Sequence, residues 1–210
     1  MIKLGSFFPD ALNLNGDQGN LLALKKYLEA AGFEVQVDSI GAANGYQDIH
    51  FAFLGHGSMA AMRSLNTALS VVAFDQLLQT TPGMAIGSGF EYLAGLSLTK
   101  SEINREERAS EFAIGELGTI TALGYRNTDS GLPNLELNGN WICSMLHGPL
   151  LAKNPILLHR AAKAAVTAAG LVWPAVAPES LSSWVEKLNR ISTQIWALET
   201  EAEFRPLVLV

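Results

Sequence analysis

Along the first ninety residues, short apolar runs alternate with stretches in which apolar residues recur at helical spacing. Four runs predict strands: IKLGSFFP (2–9), FEVQVDSI (33–40), IHFAFLG (49–55) and GMAI (83–86). The last two are nearly uninterrupted, which is typical of strands buried on both faces of a sheet. Apolar residues at helical spacing predict helices within 21–31 and 58–80. This order predicts a doubly wound α/β domain with a mostly parallel central sheet flanked by helices.

The second half of the chain continues with a less regular pattern. FAIGELGTITALGY (112–125) and LELNGNWICSML (135–146) predict further, antiparallel strands. The polar stretch 99–111 is expected to be an exposed excursion. Helices are predicted over 154–169 and from Pro178 to about residue 200. We expect one domain over 1–172 and a helical C-terminal extension, 173–210, that packs on it.

Composition narrows the class of protein. The 210 residues carry a net charge of −6, and no basic run is longer than Lys25-Lys26, so clustered cations for nucleic acid are missing. No apolar run is long enough for a membrane span, and the N-terminus does not have the pattern of a signal peptide. The single cysteine, Cys143, fits a reducing compartment. We therefore expect a cytoplasmic protein, and its low charge indicates either an apolar core or a surface covered by a partner.

The turn at GSG (87–89) is the first candidate for chemistry. In doubly wound sheets, ligands bind beyond the carboxyl ends of the strands, so the loops 9–20, 55–58 and 87–89 are expected to surround a pocket. A buried strand, a tight turn of very small residues and a helix in succession are typical of an elbow that presents a nucleophile. The sequence therefore predicts an active-site frame at this edge of the sheet.

Three motifs carry a resemblance to a known family: NGDQGN (15–20), AIGSGFEYL (85–93) and HGPLLAKNP (147–155). Their order and spacing resemble the class I glutamine amidotransferase-like family, in the branch with cobyric acid synthase and the glutaminase subunit of lipid II isoglutaminyl synthase. The resemblance implies a flavodoxin-like fold, no cofactor, a glutamine-like small-molecule ligand and a Mur-ligase-like synthetase as partner. In that family an elbow cysteine attacks the glutamine amide, a histidine moves the proton and backbone amides hold the oxyanion.

The chain departs from the family pattern at the nucleophile itself. In an alignment without gaps, the cysteine falls on Gly87, the family's tyrosine on Phe90 and its glutamine on Glu91. Glycine has no side chain, so no covalent step can begin there. A shift by one residue would make Ser88 the nucleophile, but Ile86 stands where the Gly-x-Ser-x-Gly elbow of hydrolases needs glycine.

The oxyanion-side loop also departs from the family pattern. The family has a glycine-rich segment after this strand, whereas GHGSM (55–59) keeps Gly55 and introduces His56. The imidazole is expected either to fill the pocket or to offer it a new polar group. Both residues are candidate ligand-binding positions.

Four more residues are expected beside the pocket because of the resemblance. Asp17 and Asn20 belong to NGDQGN and could contact a ligand or partner, or could act only as turn and helix-capping residues. Arg126 stands where the family has an acidic residue. Glu91 would bring negative charge to a site that binds neutral glutamine in the family.

His147 occupies the position of the family's proton-transferring histidine. Cys143 precedes it by four residues in a predicted strand, which would put the two side chains on one face about 13 Å apart, too far for a nucleophile and its base. Cys143 is therefore expected to be a buried apolar residue. Four scattered histidines and one cysteine show no metal-ligand spacing.

These observations favour a catalytically degenerate amidotransferase-like subunit that acts as a binding or scaffolding partner of a synthetase. Two alternatives stay open at this point. One is an active amide or ester hydrolase that uses Ser88 with His147. The other is a homodimeric interaction protein or a ligand sensor.

Overall fold

A computed structural model of the chain describes residues 1–41, 46, 48–95, 109–128 and 130–209. The strands are β1 (Ile2–Phe7), β2 (Val35–Ile40), β3 (Phe51–Leu54), β4 (Gly83–Ile86), β5 (Ala109–Leu117), β6 (Ile120–Thr128), β7 (Leu135–Asn138), β8 (Trp141–Ser144) and β9 (Leu146–His147). The helices are α1 (Gly19–Ala30), α2 (Met59–Ser70), α3 (Phe74–Thr80), α4 (Ser88–Leu93), α5 (Leu150–Lys153), α6 (Pro155–Ala168) and α7 (Glu179–Glu199).

The central sheet has the strand order β2-β1-β3-β4-β8-β7. All neighbouring strands in it are parallel except β7, which forms an antiparallel hairpin with β8. A second, antiparallel sheet has the order β5-β6-β9. The predicted α/β architecture with a mostly parallel central sheet flanked by helices is confirmed.

Alternate residues of the central strands enter two separate cores. Phe51 and Phe53 of β3 pack with α1, α5, α6 and α7 on one face. Ala52 and Leu54, which point the other way, pack with α2, α3 and α4. Every residue of β3 and β4 is buried, as the uninterrupted apolar runs predicted. The sheet is thus covered on both faces, and its carboxyl edge is left to the loops.

The prediction of a single helix over 58–80 is wrong. The structure has two helices there, α2 and α3, separated by Val71, Val72 and Ala73. Two adjacent β-branched residues disfavour continuation of the helix. The Ala73 N–H donates to the Tyr46 hydroxyl at 3.1 Å instead of to a helical carbonyl.

The connection from Cys143 to His147 also differs from the prediction. The hairpin of β7 and β8 is antiparallel as expected, but β8 lies parallel to β4 inside the central sheet. The chain then leaves this sheet after Ser144, and Leu146–His147 joins the other sheet as β9. Cys143 and His147 therefore do not share one strand face.

The capping role expected for Asp17 or Asn20 is not observed. Helix α1 begins at Gly19 behind Gln18, which makes no side-chain capping bond. Helix α7 packs on α1, α5 and α6, and Tyr27 of α1 contacts Trp173 and Trp184 through their rings. The division at residue 172 stays a prediction. Most of the expected excursion, 99–108, lies outside the described residues.

Candidate functional site

Gly87 forms the bend between β4 and α4. Its φ of 55° and ψ of −119° lie in a region that glycine adopts freely and L-residues rarely adopt. A nucleophile elbow holds its reactive residue in a strained strand-to-helix turn of this kind. The bend therefore falls on Gly87 and not on Ser88, which begins the helix. This placement agrees with the alignment without gaps.

The imidazole of His56 occupies the space in which a side chain at the bend would stand. A Cβ built on Gly87 would lie 2.5 Å from His56 Nδ1 and 2.5 Å from His147 Cε1. The two imidazole rings contact each other edge to face, with centroids 4.6 Å apart. His56 therefore lies where a side chain at the bend would project, and its Nδ1 also faces the backbone of the elbow.

The backbone amides around the bend are already bonded within the protein. Ser88 N–H donates to His56 Nδ1 at 3.0 Å, and Gly57 N–H donates to Ser88 Oγ at 2.9 Å. His56 N–H donates to Asp17 Oδ2 at 3.1 Å. Because Nδ1 of His56 accepts a hydrogen bond, its neutral ring carries the proton on Nε2. An oxyanion hole needs donors that point at an empty position, and these three donors point at protein atoms.

The Ser88 hydroxyl is enclosed and 1% exposed. Besides accepting from Gly57 N–H, it donates to Gly57 O at 3.1 Å. A serine nucleophile needs a base that takes its proton, and a peptide carbonyl cannot act as that base. The geometry therefore gives Ser88 the role of joining the 55–58 loop to the elbow.

We expect a fluorophosphonate probe to leave Ser88 of the native protein unlabelled because its proton is held by a carbonyl and its oxygen is buried. The measurement is mass spectrometry of tryptic peptides after overnight incubation, with a known serine hydrolase as positive control. A stoichiometric adduct on Ser88, lost in His147→Ala, would instead support the hydrolase alternative.

Three glycines bring the loops around the site into close contact. A Cβ on Gly55 would overlap Leu12 O, and one on Gly89 would lie 2.7 Å from Leu54 O. A Cβ on Gly57 would lie 2.9 Å from Ala11 O. Gly55, one of the expected ligand-binding positions, is buried against the 9–20 loop. Tight loop packing explains why this region needs glycine even without a bound ligand.

Asp17 and Asn20 connect the two motifs that resemble the family most strongly. Gly148 N–H donates to Asp17 Oδ1 at 3.0 Å, while Asn20 Nδ2 donates to Gly148 O at 2.9 Å. Leu151 N–H donates to Asn20 Oδ1 at 2.8 Å. Both side chains are fully buried. They position the loop that follows His147. The sequence did not indicate this role because the two side chains are about 130 residues away from that loop.

Burial raises the pKa of Asp17 to about 6, although the N–H groups of Gly148 and His56 act to lower it. In the unfolded chain Asp17 ionises near pH 4. Between these two values the unfolded state releases its proton first, so stability falls as pH rises from about 4 to about 6 and is level above.

We expect the free energy of unfolding of the wild type to fall by about 2–3 kcal/mol relative to Asp17→Asn across that interval. Asparagine does not titrate, and the other carboxyl groups cancel in the difference. Urea denaturation of both proteins at pH 4, 5, 6 and 7 gives the two profiles. Profiles that run parallel would show that the Asp17 pKa is not raised in the folded state.

The remaining predicted site residues have different environments. His147 is buried and pairs with Tyr125 between β9 and β6. The Arg126 guanidinium donates to Ser130 O at 2.7 Å and also to the Asn134 side chain, so it supports the 130–134 loop. Glu91 stands in the first turn of α4 and is half-buried.

Cys143 lies in β8 of the central sheet, and its fully buried side chain belongs to the core that this sheet forms with α2, α3 and α4. Burial raises the pKa of its thiol to about 12, with a smaller contribution from the charge of Glu136. A thiol with this pKa is almost entirely protonated at neutral pH and is a poor nucleophile. Its expected role as a small apolar residue agrees with this environment.

Two kinds of feature are missing from the described part of the chain, a cluster of metal ligands and a membrane-spanning helix. Among those residues, no group of three or more potential ligands is arranged to hold a metal ion. Within the same ranges, no helix combines the length and the apolar character needed to cross a membrane.

Comparisons with known proteins found similarity in sequence and in fold. The chain is 25% identical to the lipid II isoglutaminyl synthase (glutamine-hydrolyzing) subunit GatD of Staphylococcus aureus, over 70% of this chain and 77% of that protein. No protein-family model matches. A candidate GMP synthase component from Thermoplasma acidophilum superposes with a TM-score of 0.50 at 10% identity, over 81% of this chain and 94% of that chain.

A glutamine amidotransferase from Thermotoga maritima superposes with a TM-score of 0.47 at 10% identity, over 94% of each chain. At such identities a structural likeness concerns the fold alone. The expected fold is confirmed: the chain has the flavodoxin-like α/β fold of class I glutamine amidotransferase domains, and it has weak homology to a glutaminase subunit.

Proposed function

We propose that this chain is a glutamine amidotransferase-like subunit that has lost glutamine hydrolysis and serves as a binding partner of a Mur-ligase-like synthetase. The observation that carries the proposal is the elbow itself. Gly87 supplies the backbone of a nucleophile position without a side chain, and His56 fills the vacated space. A thioester cannot form at such a position because no sulfur is there to attack the amide.

The frame around the lost nucleophile supports a retained role in binding. Asp17 and Asn20 still hold the loop after His147, and Ser88 still joins the elbow to the 55–58 loop. Each of these buried polar contacts is destabilising if only one partner remains, so together they keep the three loops in a fixed arrangement. The frame is therefore proposed to maintain a surface for another protein.

The choice of partner rests on the similarity to the Staphylococcus aureus protein, which is one subunit of a synthase. A Mur-ligase-like synthetase from the same genome is the corresponding partner proposed for this chain. In the complex, this chain would contribute structure, and the amide nitrogen would come from free ammonia or from another glutaminase.

Co-expression with that synthetase tests the proposal. We expect the two chains to co-elute in gel filtration and the complex to amidate the synthetase's substrate with ammonium but not with glutamine. Light scattering of the full chain alone gives its own oligomeric state. A stable homodimer that excludes the synthetase would contradict the scaffold role and support the homodimer alternative. Glutamine-dependent amidation would contradict the loss of hydrolysis.

A further inference from the structure

A second cleft lies at the opposite edge of the central sheet from the elbow. It has a volume of about 540 Å³ and is formed where β3, β4 and β8 begin, between the β7–β8 hairpin and α6. Phe51, Gly83 and Ile142 form its buried floor. Strand β4 begins at this cleft and ends at Ile86, directly before Gly87, so the two sites occupy opposite ends of one strand. The volume is within the range of small-molecule pockets.

Two cations stand at the rim of the cleft. Arg160 and Lys163 are three residues apart on α6, so their side chains lie on neighbouring turns of one face. Among the described residues, the side-chain ion pairs involve only Lys25 and Lys26 with Glu29, so neither rim cation is neutralised there. The chain as a whole has a net charge of −6, so a local group of two cations differs from the average charge of its surface.

The acidic residue of the neighbouring strand does not face this cleft. Leu137 lines it, and side chains alternate along a strand, so Glu136 points to the other face, where its charge acts on Cys143. The exposed Thr80 and Asn140 add neutral polar groups to the opening. The cleft thus combines an apolar floor, neutral polar walls and a positive rim.

We propose that this cleft binds a small organic anion with an apolar body and a phosphate, sulfonate or carboxylate head. The apolar body would lie on Phe51 and Ile142, and the head group would face Arg160 and Lys163. This binding uses none of the residues of the elbow site. The proposal is therefore tested independently of the loss of glutamine hydrolysis.

The probe for the test is 8-anilinonaphthalene-1-sulfonate, which carries an apolar ring system and one anionic head. We expect saturable fluorescence enhancement with one site per chain. Hexyl phosphate is expected to displace the probe, whereas hexanol and inorganic phosphate at equal concentration are not, because each supplies only half of the recognised chemistry.

Two variants separate the charge from the cavity. Arg160→Gln with Lys163→Gln removes the rim charge at exposed positions and is expected to weaken probe binding at least tenfold. Ala164→Leu keeps both charges but fills the cleft, and the same loss is expected. Lys187→Gln with Arg190→Gln, which removes two exposed cations from α7, is the matched control and should bind as the wild type does.

Thermal unfolding of each variant shows that the fold is retained before binding is compared. The absence of a saturable site in the wild type would overturn the proposal. Wild-type affinity in either the double-glutamine variant or Ala164→Leu would also overturn it, because the probe would then bind elsewhere. Displacement by hexanol as effective as by hexyl phosphate would exclude recognition of the anionic head.

Discussion

Gly87→Ala is expected to lower the free energy of unfolding by about 3–5 kcal/mol, because two costs combine at this position. The backbone conformation, with φ of 55° and ψ of −119°, is unfavourable for any residue with a Cβ. The added methyl would also lie 2.5 Å from both His56 Nδ1 and His147 Cε1. The buried His147 imidazole on one side and the half-buried His56 imidazole on the other leave the methyl no direction in which to move cheaply.

A double-mutant cycle with His56→Ala separates these two costs. Without the His56 imidazole, Gly87→Ala should retain mainly the backbone cost, so we expect a coupling of about 1–3 kcal/mol between the positions. The loss of the bond to Ser88 N–H cancels because it occurs in both His56→Ala proteins.

Gly170→Ala is the matched control for this cycle. It also has a positive φ, of 67°, but open space around a Cβ, and should cost only about 1 kcal/mol. Urea denaturation gives all the values. Equal costs at Gly87 and Gly170, with no coupling to His56, would show that the imidazole does not fill the bend.

The double variant His56→Gly with Gly87→Cys is expected to gain a thiol that is alkylated by iodoacetamide at least about 10³-fold faster than any thiol of the wild type. Cys143 is the sole native thiol, and with a pKa of about 12 its thiolate fraction at pH 8 is roughly 10⁻⁴. A thiol at the bend, with an ordinary pKa near 8.5, would be ionised to about a quarter.

Mass spectrometry after timed alkylation measures this difference directly. His56→Gly alone is the control, because it opens the space without adding a thiol, and it should react as slowly as the wild type. A native protein in which Cys143 is alkylated as fast as the introduced thiol would show that the core around Cys143 opens readily. An unreactive introduced thiol in a folded double variant would show that the bend does not present its side chain.

The parts of the fold that depend on short-range pattern could be predicted from the sequence. The apolar runs of β3 and β4 predicted strands buried on both faces, and the GSG turn between a strand and a helix predicted the elbow. Both signals are local because the apolar residues of a buried strand, and the small residues of the turn, are consecutive in the sequence. The break between α2 and α3 was missed because it depends partly on a contact with Tyr46, which is distant in sequence.

The parts of the site that depend on distant contacts could not be predicted in the same way. His56 and Gly87 are separated by about 30 residues, and only the close packing of three loops brings the imidazole onto the bend. The sequence left open whether the His56 imidazole fills the pocket or offers it a new polar group. The hydrogen bond between Asp17 and Gly148 joins positions even farther apart in the sequence, and no periodic pattern of residues indicates it.

The rate of ammonia release from L-glutamine by the purified wild-type protein, alone and with the proposed synthetase partner, is the most direct measurement of whether the elbow retains a nucleophile. Because Gly87 offers only backbone and Ser88 is bonded to Gly57, we expect the rate to equal that of the His147→Ala protein and of buffer. A rate typical of an amidotransferase that is abolished by Ser88→Ala or His147→Ala would contradict the loss of catalysis.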